Sequence, residues 1–585
     1  MKIKTLSEYL DRLENTSGRN DITEILASLF AETSAEEIDK VVYLLLGILA
    51  PSYRGLVFNV AEKMMVEVVG VAYDKEKKEV QKLYKETGDL GVVASKLSDK
   101  KSSSLSVVES YNELVKIAKD EGEGSQERKI TELAKLLRKL DALSVRYVTR
   151  IPVGKLRLGF SDKTIIDALS YLEVGDKTHS KELKRAYEVL PDIGLLAKEV
   201  KKKGINKTVA SVSPEVGVPV MPMLAQRLNS TSDMIKKMGT VAVEPKFDGV
   251  RVLIHWAKEK EGDPTSSSKE GLRGTRKPFV RAYTRNLNDV SDMFPELQKL
   301  GEYVKAKSLI LDSEGIGIDP KTEKIVDFQK TMQRRRKNEI GQASKDIPFR
   351  FQLFDIMAKD GKSLMATPYD KRREVLAKTI KKNSLFVIDE YMVTDDPEVI
   401  RKEHKKYRED GLEGIIAKKL DAKYVPGRTG WRWVKMKEEE GSVGKLADTV
   451  DCVIMGYTRG KGKRAEFGIG QFLAGVQDKK GAIKSITKVG TGLSDEQLTS
   501  LAKRLKKLVV KSRPKQYEEV HTDYVPDFWV KPEVVVELAG DDLTVSTKHK
   551  AGYALRFPRL VKFRDDKDVN GVTRMTEVVE LFKMQ

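Results

Sequence analysis

The stretch Val241-Ala-Val-Glu-Pro-Lys246-Phe-Asp-Gly-Val-Arg251 sets a lysine, an Asp-Gly pair and an arginine close together at the end of a strand-like run. A lysine so placed is a candidate nucleophile held beside a phosphate site. Taken alone, the tetrapeptide KFDG reads more simply as a strand ending in an Asp-Gly turn. It gains weight from a series of short motifs downstream. The chain next offers Tyr283-Thr-Arg285-Asn286, Leu311-Asp-Ser-Glu314-Gly and Phe354-Asp355. After these come Glu413-Gly-Ile-Ile-Ala-Lys418, Trp433-Val-Lys435-Met-Lys437 and, much later, Arg556-Phe-Pro-Arg559.

These residues need elements to position them. Residues 1–200 look helical: Leu6, Tyr9, Leu10 and Leu13 recur at helical spacing, and Asp21 with Glu24 has capping-box character. Further helical patterns cover 36–49, 128–146 and 163–173, with turn-rich breaks at 98–106 and 119–126. Lys201-Lys202-Lys203 and the stretch 157–163 suit phosphate contacts, although each alone is more often a solvated face. Near 212 the texture changes, because SPEVGVPVMPML carries prolines that end helical packing. Strand-like runs follow at 241–256, 279–284, 308–318, 349–357, 385–394 and 413–418, with a polar, exposed hairpin loop expected over 258–278. A second boundary falls at 438–446. From 448 to 567 short strands, glycine-rich turns, one helical stretch at 494–511 and a basic loop at 459–464 suggest a small barrel.

Composition removes several classes of function. The 585 residues carry 107 Lys and Arg against 88 Asp and Glu, a surplus of +19 with a pI near 9.4, which points to a polyanionic partner. Cys452 is the single cysteine, so neither a disulfide framework nor a cysteine zinc site is available. The histidines have no metal-binding spacing. The apolar run Val41 to Ala50 is far short of the ~20 residues that span a bilayer. The charged N-terminus lacks a signal-peptide core, so a cytoplasmic protein (nucleoid-associated in a prokaryote) with no membrane partner is expected.

In its motifs and their order the chain resembles the covalent nucleotidyltransferase superfamily, and within it the ATP-dependent DNA ligases of archaeal and eukaryotic replicative type. The resemblance implies an all-α DNA-binding domain (1–215), an α+β adenylation domain (216–437) and a C-terminal OB-fold β-barrel (438–585). It also implies ATP as cofactor, with Mg²⁺ or Mn²⁺, and a nicked duplex DNA as substrate, sealed through a covalent Lys246-AMP. Glu244 and Lys246 would lie around the adenine and α-phosphate, and Phe354 would stack on the purine. Arg251 and Arg285 would bind ribose and phosphate, and Lys418, Lys435 and Lys437 would line the phosphates. Glu314 would reach the ribose or the metal, with Glu413 as the second carboxylate for that ion. Arg556, on the barrel, would orient the pyrophosphate. Positive surfaces on the helical region, the run Arg334-Arg335-Arg336-Lys337 and the 459–464 loop would track the DNA backbone. Such an enzyme acts as a monomer.

The match departs from the family in places. Ser313 stands where glycine is usual in LDGE. The arginine usual six residues before Lys435 would fall on Thr429, which leaves Arg428 as its replacement through a one-residue shift. The segment SDKKSSSLS has no aromatic residue, so a sliding-clamp partner has no clear motif. A capping guanylyltransferase is disfavoured by the long helical front, and an NAD-dependent ligase by the cysteine count. A P-loop ATPase fails because GKGKR lacks Ser or Thr after its lysines. An RNA ligase is the nearer rival. A non-catalytic scaffold predicts losses among Lys246, Glu314, Glu413 or Lys435, and all are retained.

Overall fold

A computed structural model describes residues 1–154, 156, 158–259, 278–326, 331, 347–427, 430–437, 449–460, 467–490 and 493–583. Arg428, the Arg334–Lys337 run, most of the 258–278 segment, most of the 459–464 loop and the 438–446 boundary lie outside the described residues. The chain divides into two compact units, Met1–Lys437 and Glu438–Gln585.

The front of the first unit is helical for the reason its spacing gives: Leu6, Tyr9, Leu10 and Leu13 all face inward from the helix Ile3–Glu14. Two local expectations need correction. The helix Arg19–Glu32 starts after Gly18 with no side-chain cap, so Asp21 sits in its first turn, where its charge favours the helix dipole instead. The 128–146 pattern is two helices, Ser125–Lys139 and Ala142–Arg150, split where the Asp141 carboxylate accepts from Leu143 and Ser144 N–H. Of the lysine triplet, Lys201 donates to the Phe30 and Ala31 carbonyls at 2.8 and 3.0 Å, and Lys203 binds Ser211. Both therefore do local structural work.

The rest of this unit is built on two sheets. The first has the order β1 (Gln226–Arg227), β11 (Trp433–Met436), β10 (Gly414–Lys419), β2 (Val241–Lys246), β9 (Met392–Thr394). The second runs β4 (Phe279–Thr284), β3 (Val250–Ala257), β5 (Ser308–Gly317), β6 (Phe349–Lys359), β7 (Lys362–Ser363), with β8 (Phe386–Ile388) alongside β6. Strand alternation decides which residues are core. Val241, Val243, Ile415, Ala417, Val434 and Met436 share the face of the first sheet that packs under two helices. Val252, Ile254, Leu309, Leu311, Phe351 and Leu353 do the same in the second. The polar residues between them are left on the opposite faces.

The second unit is a strand-rich domain, the OB-fold expected of this region. Its long strand β12 (Val450–Thr458) pairs with β13 (Gln471–Gln477), and along its other edge first with β17 (Val535–Ala539) and then with β16 (Phe528–Val530). Such a switch of partners bends a sheet toward closure. The remaining strands are β14 (Ile483–Val489), β15 (Val509–Val510), β18 (Asp542–Val545), β19 (Tyr553–Arg556) and β20 (Arg559–Phe563). The helix Asp495–Lys506 begins at a Ser494/Gln497 capping box. Among the described residues no helix is long and apolar enough to cross a membrane.

Candidate active site

The register of the first sheet gathers its chemistry on one face. Gly414 lies opposite Lys246, Ile416 opposite both Glu244 and Lys435, and Lys418 opposite Trp433. With a period of two, Glu244, Lys246, Lys418, Lys435, Lys437 and Trp433 all point the same way, away from the apolar core. Lys246 ends β2, and its carbonyl accepts from Glu413 N–H at 2.9 Å. Gly414 holds φ +138°, and a Cβ there would lie 2.2 Å from the Met436 carbonyl oxygen. Only glycine therefore fits the Glu413-Gly414 turn. Gly249, of the Asp-Gly pair, is required for the same reason: a Cβ would fall 2.5 Å from the Gly315 carbonyl.

The facing sheet adds a second set. Arg251 lies opposite Glu314, and Leu253 opposite Asp312. A register shift sets Asp312 opposite Asp355 but Ser313 opposite Leu353, so Phe354 is the extra residue of a β-bulge. The bulge turns its ring toward the first sheet, to 6.0 Å from Trp433. Ser313, where glycine is usual, is accommodated: its buried hydroxyl donates to the Val252 carbonyl at 2.7 Å.

Three clusters result. In the first, the Glu413 carboxylate pairs with both the Lys246 and Lys437 ammonium groups. Burial lowers the Lys246 pKa from the usual lysine range; the Glu314 and Asp248 charges oppose that shift, and Arg251 adds to it. Desolvation pushes the Glu314 carboxyl up to about 7, against the pull of Lys246 and Arg251. In the second cluster, Arg251 binds the fully buried Asp312 through Nε at 2.9 Å and Nη2 at 2.6 Å, and gives an Nη1 hydrogen to the Met223 carbonyl at 2.7 Å. Tyr424 donates to the same carboxylate at 2.8 Å. Of the guanidinium's five N–H groups, two have no hydrogen-bond partner among the described residues. In the third, Lys418 and Glu244 form a buried ion pair at 2.5 Å, and Tyr369 gives its hydroxyl hydrogen to the other Glu244 oxygen. The Lys418 ammonium lies 4.5 Å from the centres of both the Phe354 and Trp433 rings.

The structure thus brings together Glu244, Lys246, Arg251, Glu314, Phe354, Glu413, Lys418, Lys435 and Lys437. Arg285 is exposed in the turn after β4. Arg556, in the other unit, ends β19 exposed, its Nε 3.9 Å from Asp542. Asp312, Tyr424, Tyr369 and Trp433 carry no motif role that the sequence alone assigns. Asp312 and Trp433 held a signal, each lying inside a motif two residues before Glu314 or Lys435 and so on the same strand face.

No group of three or more His, Cys, Asp or Glu able to hold a metal occurs among the described residues. Glu314 and Glu413 are hard oxygen donors that both act on Lys246, which suits a divalent cation completed by phosphate oxygens and water rather than one caged by protein.

Comparison with known proteins agrees along the whole chain. Residues 2–170 match the family "DNA ligase N terminus", 273–437 "ATP dependent DNA ligase domain" and 465–567 "ATP dependent DNA ligase C terminal region". A probable DNA ligase from Dictyoglomus turgidum is 37% identical over 99% of this chain and 97% of its own length. A DNA ligase from Saccharolobus solfataricus is 33% identical over 100% and 98%. A solved structure described as Pmar-Lig_PreS3 shares the fold, with a TM-score of 0.55 and 19% identity over 96% of this chain and 99% of its own.

Proposed function

The chain belongs to the ATP-dependent DNA ligase family, and from that premise we propose that Lys246 is the residue that takes AMP from ATP. The enzyme forms phosphodiester bonds, sealing nicks in DNA through an adenylate intermediate, and works in DNA replication and repair. It uses ATP and a divalent cation. The observation that carries the assignment is the Lys246–Glu413–Lys437 cluster at the end of β2, with Glu314 close enough to shift the lysine.

The Lys246 amine attacks the α-phosphorus; the N–P bond forms as the bond to pyrophosphate breaks. Glu413, already in contact with the ammonium, is the nearest acceptor for the proton the amine must lose. Lys435 and Lys437 hold phosphate oxygens, Arg251 and Arg285 the ribose and phosphates, and Phe354 stacks on the purine beside Glu244 and Lys418. A divalent cation, Mg²⁺ or Mn²⁺, bound by Glu314 and Glu413 would offset the charge on the α-phosphate and the leaving group. Arg556 orients that pyrophosphate, and Arg428 takes the place of the family's upstream arginine. In the next step the N–P bond breaks, the 5′-phosphate of the nick takes the AMP, and the amine recovers its proton. The 3′-hydroxyl then attacks that phosphate and AMP leaves.

We read the functional domains as 1–215, 216–437 and 438–585, acting as a monomer in the cytoplasm or nucleoid. A sliding clamp is an open partner, with no clamp motif in the 98–106 loop. The test uses Lys246→Ala on two substrates. The variant should fail to seal an ordinary nick with ATP yet seal a nick whose 5′-phosphate is already adenylated. Sealing of the ordinary nick by the variant would remove Lys246 from the chemistry.

A further inference from the structure

Glu244 is a buried carboxylate whose oxygens are engaged by different donors. Lys418 takes one at 2.5 Å, and the Tyr369 hydroxyl takes the other. Tyr369 is fully buried at the start of the helix Tyr369–Thr379, held in place by the Arg372 guanidinium 5.5 Å from its ring centre. Arg372 is itself locked to Asp355 at 2.7 and 2.8 Å and to the Thr367 and Ala422 carbonyls. This anchoring leaves the phenol no freedom to follow a misplaced carboxylate, so Glu244 is fixed by a rigid donor on one side and a caged ammonium on the other.

An ionised carboxylate is an acceptor only, and each oxygen keeps a lone pair after one donor is satisfied. A carboxylate locked in this way can receive a hydrogen bond from an amine but meets a carbonyl oxygen with repulsion. Phe354, read above as the purine's stacking partner, and Trp433 each lie 4.5 Å from the Lys418 ammonium that pairs with Glu244. We propose that Tyr369 is a positioning residue for nucleotide selection: its hydroxyl orients Glu244 so that the remaining lone pair meets the 6-amino group of adenine and rejects the 6-oxo group of guanine. The inference rests on reading this cleft as the ATP site. In this proposal Tyr369 acts through Glu244, to which its hydroxyl donates.

The experiment measures self-adenylation of the full chain with ATP, GTP and purine riboside triphosphate, which lacks the 6-amino group, for wild type and Tyr369→Phe. For wild type the analogue should show a KM about ten-fold above that of ATP, the size of one hydrogen bond to a charged group. In Tyr369→Phe the KM for ATP should rise by about ten-fold while that of the analogue stays near its wild-type value, with kcat within about two-fold for both. The preference for ATP over GTP should shrink with it. Equal rises for ATP and the analogue would reveal a general loss of pocket shape and overturn the inference, as would no change in either. A wild type that does not distinguish ATP from the analogue would also overturn it, without recourse to the variant. Absence of any ATP-dependent label on wild type would instead overturn the ATP-site reading, and this inference with it.

Discussion

Replacing Asp312 by asparagine tests whether Arg251, on β3 just after the KFDG turn, is held for chemistry or only for packing. Asp312 is fully buried and accepts two hydrogen bonds from Arg251 and one from Tyr424. Asparagine offers one carbonyl in place of two charged oxygens, and its amide hydrogens face donors. Arg251 keeps its charge in a cleft where its side chain is 16% exposed. Breaking one side of a buried pair costs about 3–5 kcal/mol. For a region of this size each kcal/mol moves the melting temperature by about 2–4 °C, so the variant should melt roughly 10 °C below wild type. The double variant Arg251→Met with Asp312→Leu removes both charges, and most of the lost stability should return, to within about 2 kcal/mol of wild type. Self-adenylation should not return, because the two remaining guanidinium N–H groups are gone. Differential scanning fluorimetry and transfer of label from ATP give the two readouts. A single variant that melts within about 2 °C of wild type would refute the energetic argument. A double variant that regains full adenylation would refute the ligand role of Arg251.

Two pH effects arise from the buried acids. The Glu314 carboxyl is pushed up to about 7 by burial and so is half ionised near that pH, while the neutral Lys246 amine, favoured by burial, grows more abundant as pH rises. The rate of self-adenylation should therefore climb between about pH 6 and 8 in wild type, and Glu314→Gln should lose the inflection near 7. A flat wild-type profile would contradict this. Asp389, with Oδ1 unpartnered among the described residues, is pushed up to about 8 by burial and the Glu244 charge. Its folded pKa lies above the unfolded ~3.9, so the stability it contributes is complete below about pH 4 and drains away as pH rises through 8. Relative to wild type, Asp389→Asn should therefore gain melting temperature between about pH 5 and pH 9. A constant difference across that range would show that Asp389 does not titrate there.

The candidate catalytic face is legible because it is written locally. The alternation of Val241-Ala-Val-Glu-Pro-Lys246 assigns Glu244 and Lys246 to one face and Val241 and Val243 to the core, and the structure follows it. Gly249 and Gly414 could be noticed as motif residues, but their necessity comes from carbonyls of Gly315 and Met436 far away in sequence. Phe354 was found by its motif, whereas the bulge that aims it depends on the pairing of β5 with β6. The partners of the motif residues were not legible. Arg251 and Asp312 are 61 positions apart, and Tyr369 reaches Glu244 across 125. Nothing local marks a tyrosine at a helix start as the neighbour of the strand that carries Glu244 and Lys246. Asp21 shows the opposite failure: a plausible local cap was displaced because the helix begins earlier, at Arg19.

The most direct test of the account tracks AMP itself. Wild type and Lys246→Ala are incubated with α-labelled ATP and a divalent cation without DNA, denatured and digested, and the label is located on the peptides. Nicked duplex is then added to a parallel native sample. The account predicts label on the peptide containing Lys246, none on the variant, and discharge of the wild-type label in step with nick sealing. Label on another lysine, label on the variant, or label that survives while nicks are sealed would contradict it.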